Sequence, residues 1–401
     1  MINLEIPRKM APAVKQAQAV AHGVLRPISR RYDRFEHSRP KELDMLGAVV
    51  DGLDAAGAGG SGAKGVRREA PRSGEVRNGT NLSTVLSIME VSYGDVGLVL
   101  ALPRQGLGNA AVASVANDEQ LARFGHLWAA MAITEPGCGS DSAAIRTTAT
   151  KDGDEYVLNG EKIYVTAGER CEAVVVWASL DPSLGRAAIK PFVVEKGTPG
   201  FTVARLEEKL GIRASDTATL ILDGVRVPAS NLLGDPEVKA DKSFAGVMQT
   251  FDNTRPLVAG MAVGVARAAL EEATRLLAEA GVTVDYDAAP HAQPAAAAEL
   301  LALEADYESA YLLTLRAAWM ADNGKPNSLE ASMAKAKAGR TATDVALRCL
   351  ALVGSLAYGE DLLLEKWARD AKILDIFEGT QQIQKLIIAR RLLGKSSAEL
   401  R

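Results

Sequence analysis

Apolar residues recur at helical spacing through roughly the first third of the chain. Between Pro40 and Leu53 they place Leu43, Leu46, Val49, Val50 and Leu53 on one face of an expected helix. Glycine-rich residues 57–65, followed by a polar and basic run to about Asn81, break that spacing and predict a loop. Residues 82–89 resume the helical pattern, and 98–115 take it up again. From about residue 132 to 235 the pattern changes to short β-type runs punctuated by Gly and Pro. Within 156–165 the pair Asn159-Gly160 stands between two such runs, which predicts a hairpin turn there. Residues 174–177, 191–194 and 219–222 read as further strands, giving an antiparallel β-domain. After Asp235, long alanine- and leucine-rich helices are expected at about 242–280, 293–323, 327–355 and 360–393. They make a four-helix bundle, and Arg390 and Arg391 suit the negative pole of its last member. The fold class is therefore mainly α with a central β-domain. An N-terminal helical domain spans 1–131, a middle antiparallel β-domain 132–236, and a C-terminal four-helix bundle 237–401.

Composition removes several classes of function. A chain of 401 residues that is 47% hydrophobic and 24% charged has the make-up of a globular protein with ample core. A formal charge of -4 argues against a polyanion as the main partner. Cys138, Cys171 and Cys349 form no C-x-x-C pair, and His22, His37, His126 and His291 lack ligand spacing, so neither a disulfide framework nor a metal centre is expected. No basic flank leads into an apolar segment at the N-terminus, and no run of about 18 apolar residues occurs. The expectation is a cytoplasmic protein with no membrane span and no nucleic-acid partner.

Candidate chemistry concentrates near the C-terminus. In Arg369-Asp-Ala-Lys-Ile-Leu-Asp-Ile-Phe-Glu-Gly-Thr380 a single carboxylate, Glu378, stands between an apolar run and a glycine. Ile373, Leu374, Ile376 and Phe377 are expected to bury its approach, and desolvation raises a carboxylate's pKa until it can take a proton near neutrality. Gly379 would let a ligand approach the backbone closely. The same residues also read as a helix C-cap, with Glu378 solvated. A second segment, Ala132-Ile-Thr-Glu-Pro-Gly-Cys-Gly-Ser-Asp141, has the composition of a loop that offers N–H groups to an anion or ring carbonyl, or of an ordinary turn. Thr254-Arg-Pro256 is expected to open a bundle helix, where an arginine opposes the helix dipole and calls for a specific partner. Gly57-Ala-Gly-Gly-Ser-Gly62 spells G-x-G-x-x-G, but an amphipathic helix precedes it and a polar, basic run follows, so it reads as a loop.

These segments together resemble the acyl-CoA dehydrogenase family. The 369–380 segment is similar to its C-terminal signature, in which the glutamate before Gly-Thr is the catalytic base, and 132–141 to its other signature. Lys162-Ile-Tyr-Val-Thr166, Lys209-Leu-Gly-Ile-Arg-Ala-Ser-Asp-Thr217, Val225-Arg-Val-Pro228 and Thr254-Arg-Pro256 match in order between them. The resemblance implies FAD-dependent α,β-dehydrogenation of an acyl-CoA thioester, of the β-oxidation type. Glu378 would be the base, its own backbone N–H and a flavin ribityl hydroxyl the clamp on the thioester carbonyl, and an electron-transfer flavoprotein the electron acceptor. Ile133, Thr134, Gly139, Ser140, Tyr164, Thr166, Thr380 and Gln382 would contact the cofactor, and Ser140, Phe377, Gly379 and Arg255 the substrate side. A flavin oxidase or monooxygenase on the same fold, or a non-catalytic subunit of a heteromer, are the alternatives.

The chain also departs from the family pattern. The Pro-Glu-x-x-Gly-Gly wording often found where this chain has its 57–80 loop is missing. Homotetrameric members complete each neighbour's flavin site with an Arg-x-x-Phe-Gly and a Gln-x-x-Gly-Gly element. Here Ala280, Thr283 and Val284 stand in the first, and Ala351-Leu-Val-Gly354-Ser355 in the second. Losing a guanidinium that forks onto a pyrophosphate removes a contact of about 1.5–3 kcal/mol. The expected assembly is an α2β2 heterotetramer with another acyl-CoA dehydrogenase-like subunit.

Overall fold

The computed structural model describes residues 5–55, 78–103, 107–238, 245–396 and 399. The G-x-G-x-x-G segment, and nearly all of the expected 57–81 loop, lie outside the described residues. Helix α1 (Ala11–Val20) passes through a π-helical turn, Ala21–Leu25, into α2 (Arg26–Arg34). Both helices carry a proline in their first turn; in α1 its missing N–H has no partner to lose, while in α2 it follows directly on the π-helical turn, inside a continuous helical stretch. Next come α3 (Lys41–Ala55), α4 (Thr80–Ala101), α5 (Leu107–Val115) and α6 (Asp118–Phe124). Helix α4 is bent at Asp95, whose backbone is extended. It is long and apolar enough to cross a membrane, yet Val85, Met89, Leu98 and Val99 are buried, and it serves as a core helix. The opening N–H groups of any helix lack partners within it. Here the Asp322 carboxylate, 240 residues on, accepts from Gly79, Asn81 and Leu82 at 2.8, 2.8 and 3.0 Å.

The β-domain holds β1 (Ala129–Ala132), β2 (Thr148–Asp152), β3 (Glu155–Thr166), β4 (Ala173–Ser179), β5 (Ile189–Glu195), β6 (Phe201–Leu206) and β7 (Thr217–Pro228). They join in one sheet ordered β1-β4-β2-β3-β7-β6, with β5 also on β4. The expected purely antiparallel sheet is corrected, because β4 runs parallel to β1 and to the start of β2. Between β1 and β4 the chain makes the β2–β3 excursion, the long crossover that parallel pairing requires. Every residue of β4 is buried, with Val174 and Val176 in one apolar cluster and Val175 in another. The hairpin expected at Asn159-Gly160 is also corrected. Strand β3 runs straight through that pair with a register shift, and Gly160 is pressed so close to Thr147 that a Cβ would lie 2.4 Å from its hydroxyl. The turn falls instead at Gly153-Asp154, where Gly153 has φ 60°, as a two-residue hairpin loop with glycine leading requires.

The bundle consists of α7 (Ala245–Glu279), α8 (Ala295–Asp322), α9 (Ser328–Val353), α10 (Leu364–Leu374) and α11 (Gln381–Leu393). The continuous helix expected over 360–393 is thus two helices separated by residues 375–380. Thr380 caps α11 through its side chain, which sets a helix start that the apolar periodicity conceals. Arg255 and Pro256 do not open α7; they sit inside it. Burial of Val258, Ala259, Ala262 and Val263 holds the helix through a proline that read as a start signal. Small residues let α7 lie against α4, and a Cβ on Gly264 would meet the Met89 carbonyl at 2.3 Å.

Where the three parts meet, Lys366 of α10 is wholly buried between Asp95 and Asp370, at 2.7 and 2.5 Å. The remaining carboxylate positions are filled by Leu98 N–H on Asp95 (2.8 Å), Ile212 N–H on Asp370 (2.6 Å) and the Ser29 hydroxyl on Asp95. Two carboxylates hold the ammonium charged well above the ordinary lysine range, against a burial that opposes it. Removing one member of such a group leaves uncompensated buried charge. Lys366→Met should therefore lower the unfolding free energy by about 3–5 kcal/mol, read as a lower urea midpoint at unchanged m-value.

Candidate active site

The sequence-designated residues fall into two sets. The first lies on the β-domain. Glu135, inside the 132–141 loop, is buried and forms a 2.7 Å ion pair with the fully buried Lys162 of β3. Its two oxygens also accept from Thr147 N–H (3.0 Å), the Thr147 hydroxyl (2.6 Å) and Arg146 N–H (2.6 Å). Burial alone would raise this carboxyl, but Lys162, Thr147 and Arg146 outweigh it and hold Glu135 below the ordinary carboxylate range. The loop is thus pinned from inside, and the Thr134 carbonyl accepts from Ile163 N–H at 2.9 Å. Gly139 and Ser140 face outward, while Tyr164 beside them is 63% exposed and has φ 57°. Thr134 and Thr166 are half-buried. Ile133 turns the other way, packing with Cys138, Ile145, Trp177 and Ile189, so its side chain belongs to the β-domain interior.

The second set surrounds Glu378, in the break between α10 and α11. Glu378 has φ 54°, a left-handed conformation that costs an L-residue of order 1–3 kcal/mol and concentrates at functional sites. Its Oε2 is sealed from solvent and has no hydrogen-bond partner among the described residues. Burial pushes its pKa up, and a hydrogen bond from Thr254 with the nearby charges of Lys335 and Arg255 offsets this only in part. Phe377 is half-buried against the main core. Ile376, expected to help bury the approach, is instead exposed, because the turn directs it outward after α10 ends. Thr380 spends its hydroxyl on the Ile383 N–H of α11, and Gln382 is exposed. Arg255 is buried in mid-helix beside this set rather than at a helix start.

Two residues that sequence reasoning passed over hold the Glu378 turn. Lys335 of α9, 1% exposed, donates to the Gly379 carbonyl at 2.8 Å, and its own pKa is lowered by burial to about 8. Gln384 of α11 donates to the Glu378 and Gly379 carbonyls at 3.2 and 3.1 Å. The available signal was position: Lys335 falls on the helical stripe of Ala331, Ala334, Ala338 and Ala342, where every other member is apolar and buried.

Segment 209–216 ties the two sets together. Asp216 binds Arg170 at 2.7 Å and its carbonyl accepts from Ala167 N–H, next to Thr166. Four residues earlier, Ile212 N–H reaches Asp370 of α10, whose far end leads into the Glu378 turn. Gly211 is required at this crossing, since a Cβ there would stand 2.4 Å from the Arg369 carbonyl.

A carboxyl whose folded pKa lies above its unfolded value stabilises the fold only while protonated, so it costs stability as pH rises through that window. Replacing Glu378 with Gln removes the titration. The stability difference between Glu378→Gln and the parent should open above about pH 4.5, the ordinary glutamate value, and grow in favour of the variant until the folded pKa is passed. Urea midpoints across that range measure it, and a pH-independent offset would contradict the burial argument.

Comparison with known proteins places this geometry. Residues 130–225 match the acyl-CoA dehydrogenase middle domain and 243–393 the acyl-CoA dehydrogenase C-terminal domain. The mitochondrial short-chain specific acyl-CoA dehydrogenase of Homo sapiens is 32% identical over 98% of this chain and 92% of its own length. The Bos taurus protein of the same name is 41% identical over 65% of this chain, a match spanning 62% of the bovine protein. In three dimensions the butyryl-CoA dehydrogenase of Megasphaera elsdenii superposes with a TM-score of 0.81 at 28% identity, covering 98% of this chain and 100% of that one.

Proposed function

The chain belongs to the acyl-CoA dehydrogenase family, and on that premise we propose that it oxidises a saturated acyl-CoA thioester to the α,β-unsaturated thioester, with Glu378 as the base. The observation that carries the reading is the solvent-sealed Oε2 of Glu378, without a hydrogen-bond partner among the described residues, on a strained turn held through the Glu378 and Gly379 carbonyls. A buried acceptor without a donor is costly unless a ligand or proton supplies one.

Members of this family carry FAD. The residues present suit a flat, ring-shaped group: an exposed aromatic side chain, Tyr164, stands beside a glycine-containing loop whose outer face, Gly139 and Ser140, is open. Thr134, Ser140, Tyr164 and Thr166 would hold its ring side, with Ile133 contributing main chain only. When bound, FAD supplies the acceptor for the β-hydride, chemistry no side chain performs. The rest falls to the protein. Glu378 takes the α-proton, and its raised pKa matches it to that task near neutral pH. Its Oε2 is sealed from solvent, while the residue as a whole is half-buried. Thr254 orients it, and Arg255 and Lys335 favour its ionised form before the proton arrives. The two electrons then leave to an electron-transfer flavoprotein.

Glu378→Gln keeps the shape of the side chain but removes the basic oxygen. Flavin should remain bound while its anaerobic bleaching by acyl-CoA slows by about 10²–10⁴-fold or more. Bleaching at the parental rate would sink the assignment. Fast reaction of the reduced enzyme with oxygen would favour an oxidase or monooxygenase, and a panel of acyl-CoA thioesters with an artificial electron acceptor identifies the acyl group.

The finer reading of its partners is an α2β2 heterotetramer. Support comes from the family's two site-completing elements. The residues in the first, Ala280 and Thr283, are exposed just past the end of α7, and the second falls at the end of α9 and in the 3₁₀ turn Gly354–Tyr358. Neither offers an arginine or a glutamine to a neighbour's pyrophosphate. Expressed alone, this chain should be flavin-poor, and co-expression with a relative carrying intact elements should restore yellow, active protein. A fully flavinylated, active homo-oligomer from single-chain expression would rule the requirement out.

A further inference from the structure

We propose that Lys335 is the positioning residue of this site: by holding the Gly379 carbonyl it locks the turn that carries Glu378 in its left-handed conformation, with the carboxylate against Thr254 and Arg255. The assignment of a catalytic role to Glu378 is the reading that this step deepens.

A lysine on the inner stripe of an alanine-rich helix gives up the hydration of its ammonium, and a methionine of similar length would pack there without that loss. Among the described residues the Lys335 nitrogen makes a single hydrogen bond, to the Gly379 carbonyl at 2.8 Å. Lys162 is satisfied by Glu135 and Lys366 by Asp95 and Asp370, while Lys190 donates to two carbonyls, those of Asp235 and Glu237, outside this site. Lys335 is satisfied by the peptide that follows Glu378. That peptide joins a strained residue, Glu378 at φ 54°, to Gly379 at φ 93°, a conformation glycine adopts freely. Gln384 adds neutral donors to the same two carbonyls from α11, and Gln381 fixes the start of the turn through the Asp375 carboxylate (3.0 Å) and the Ala336 carbonyl (3.2 Å). The charged groups that face Lys335 are Glu378 and Asp375 from the turn and Arg255 from α7. Asp375 has its own cation in Lys372 at 3.6 Å. The Lys335 charge therefore acts chiefly on Glu378, lowering the cost of the ionised carboxylate that must exist before it can accept a proton.

Two consequences separate a positioning role from packing. Lys335→Met keeps the volume, removes the hydrogen bond and removes the charge; Lys335→Gln keeps a donor and removes the charge; Lys335→Arg keeps the charge. In the flavin-loaded protein, with its partner subunit where one is needed, Lys335→Met should slow anaerobic bleaching by acyl-CoA by roughly 10²-fold, the scale of a misplacement near 1 Å. The acid limb of its pH profile should move up by about one unit or more, since an opposite charge has been lost from beside a carboxylate. Lys335→Arg should restore the acid limb, and Lys335→Gln should recover rate without restoring it. Hydrogen exchange of the 375–381 peptide, read by mass spectrometry, should quicken in Lys335→Met and not in Lys335→Arg, with the flavin content of all three variants unchanged. Parental pH profile and parental exchange in Lys335→Met overturn the proposal. If Lys335→Met fails to fold, an unmoved acid limb in Lys335→Gln overturns the charge argument by itself. Should the parent protein not be bleached by any acyl-CoA, the dehydrogenase reading fails, while quickened exchange at 375–381 still supports the hold of Lys335 on the turn.

Discussion

A single buried ammonium, that of Lys366, is the interaction on which the arrangement of the chain depends. Its two carboxylates come from different places: Asp95 from the bend in the N-terminal core helix α4, Asp370 from its own helix α10. Asp370 in turn receives the N–H of Ile212, in the β-domain. Taking such a group out of water costs several kcal/mol per ion unless each charge is paired and each remaining lone pair filled, and here that condition is met only when all three parts are docked together. A misplacement of any one leaves a charge stranded. Nearby, Arg369 repeats the pattern at the edge, reaching Asp33 of α2 at 2.7 Å and the Leu210 carbonyl of the β-domain at 2.9 Å.

Four lysines are buried among the described residues: Lys190 ties β5 to the Asp235 and Glu237 carbonyls, and the other three divide the labour. Lys366 joins the parts, Lys162 stiffens the loop that faces the proposed cofactor, and Lys335 holds the turn that carries the proposed base. The first two are matched by carboxylates. The third is hydrogen-bonded to a carbonyl; burial lowers its pKa to about 8, with Glu378 and Asp375 offsetting this only in part, while two carboxylates raise that of Lys366. Burial outweighs the carboxylate partner in Lys162 as well, and of these three only Lys366, between two carboxylates, is held above the ordinary range.

Much of this was open to reading from the residues. The change of hydrophobic period near 130 and 235 marks the order of helical, β and helical parts, because each layer must present one apolar face to its neighbour. What escaped has identifiable causes. Strand β1, Ala129-Ala-Met-Ala132, lacks the branched and aromatic residues that announce a strand, and it is one of the two strands that pair parallel with β4. Asn159-Gly160 carries the strongest short-range hairpin signal in the segment, but tertiary contact with Thr147 turns it into a bulge. The break at 375–380 was masked by apolar residues on both sides that keep helical spacing. Glu378 was legible because its setting is local in sequence. Lys335 and Gln384 were not, because their role exists only after α9, α11 and the turn have come together.

The cap on α4 has a consequence for biosynthesis. The carboxylate that satisfies the first N–H groups of this helix belongs to Asp322, while its apolar face packs against α1 and the π-helical turn before it and against α7 and α8 after it. At about 5–20 residues per second, a ribosome needs on the order of 10–50 s to travel from one end of that contact to the other. Throughout that interval the emerging chain carries a 22-residue apolar helix whose first turn is uncapped and whose cover by α7 and α8 is incomplete. An apolar helix made early and completed only by a carboxylate made late ties the finishing of the N-terminal part to the synthesis of the C-terminal one.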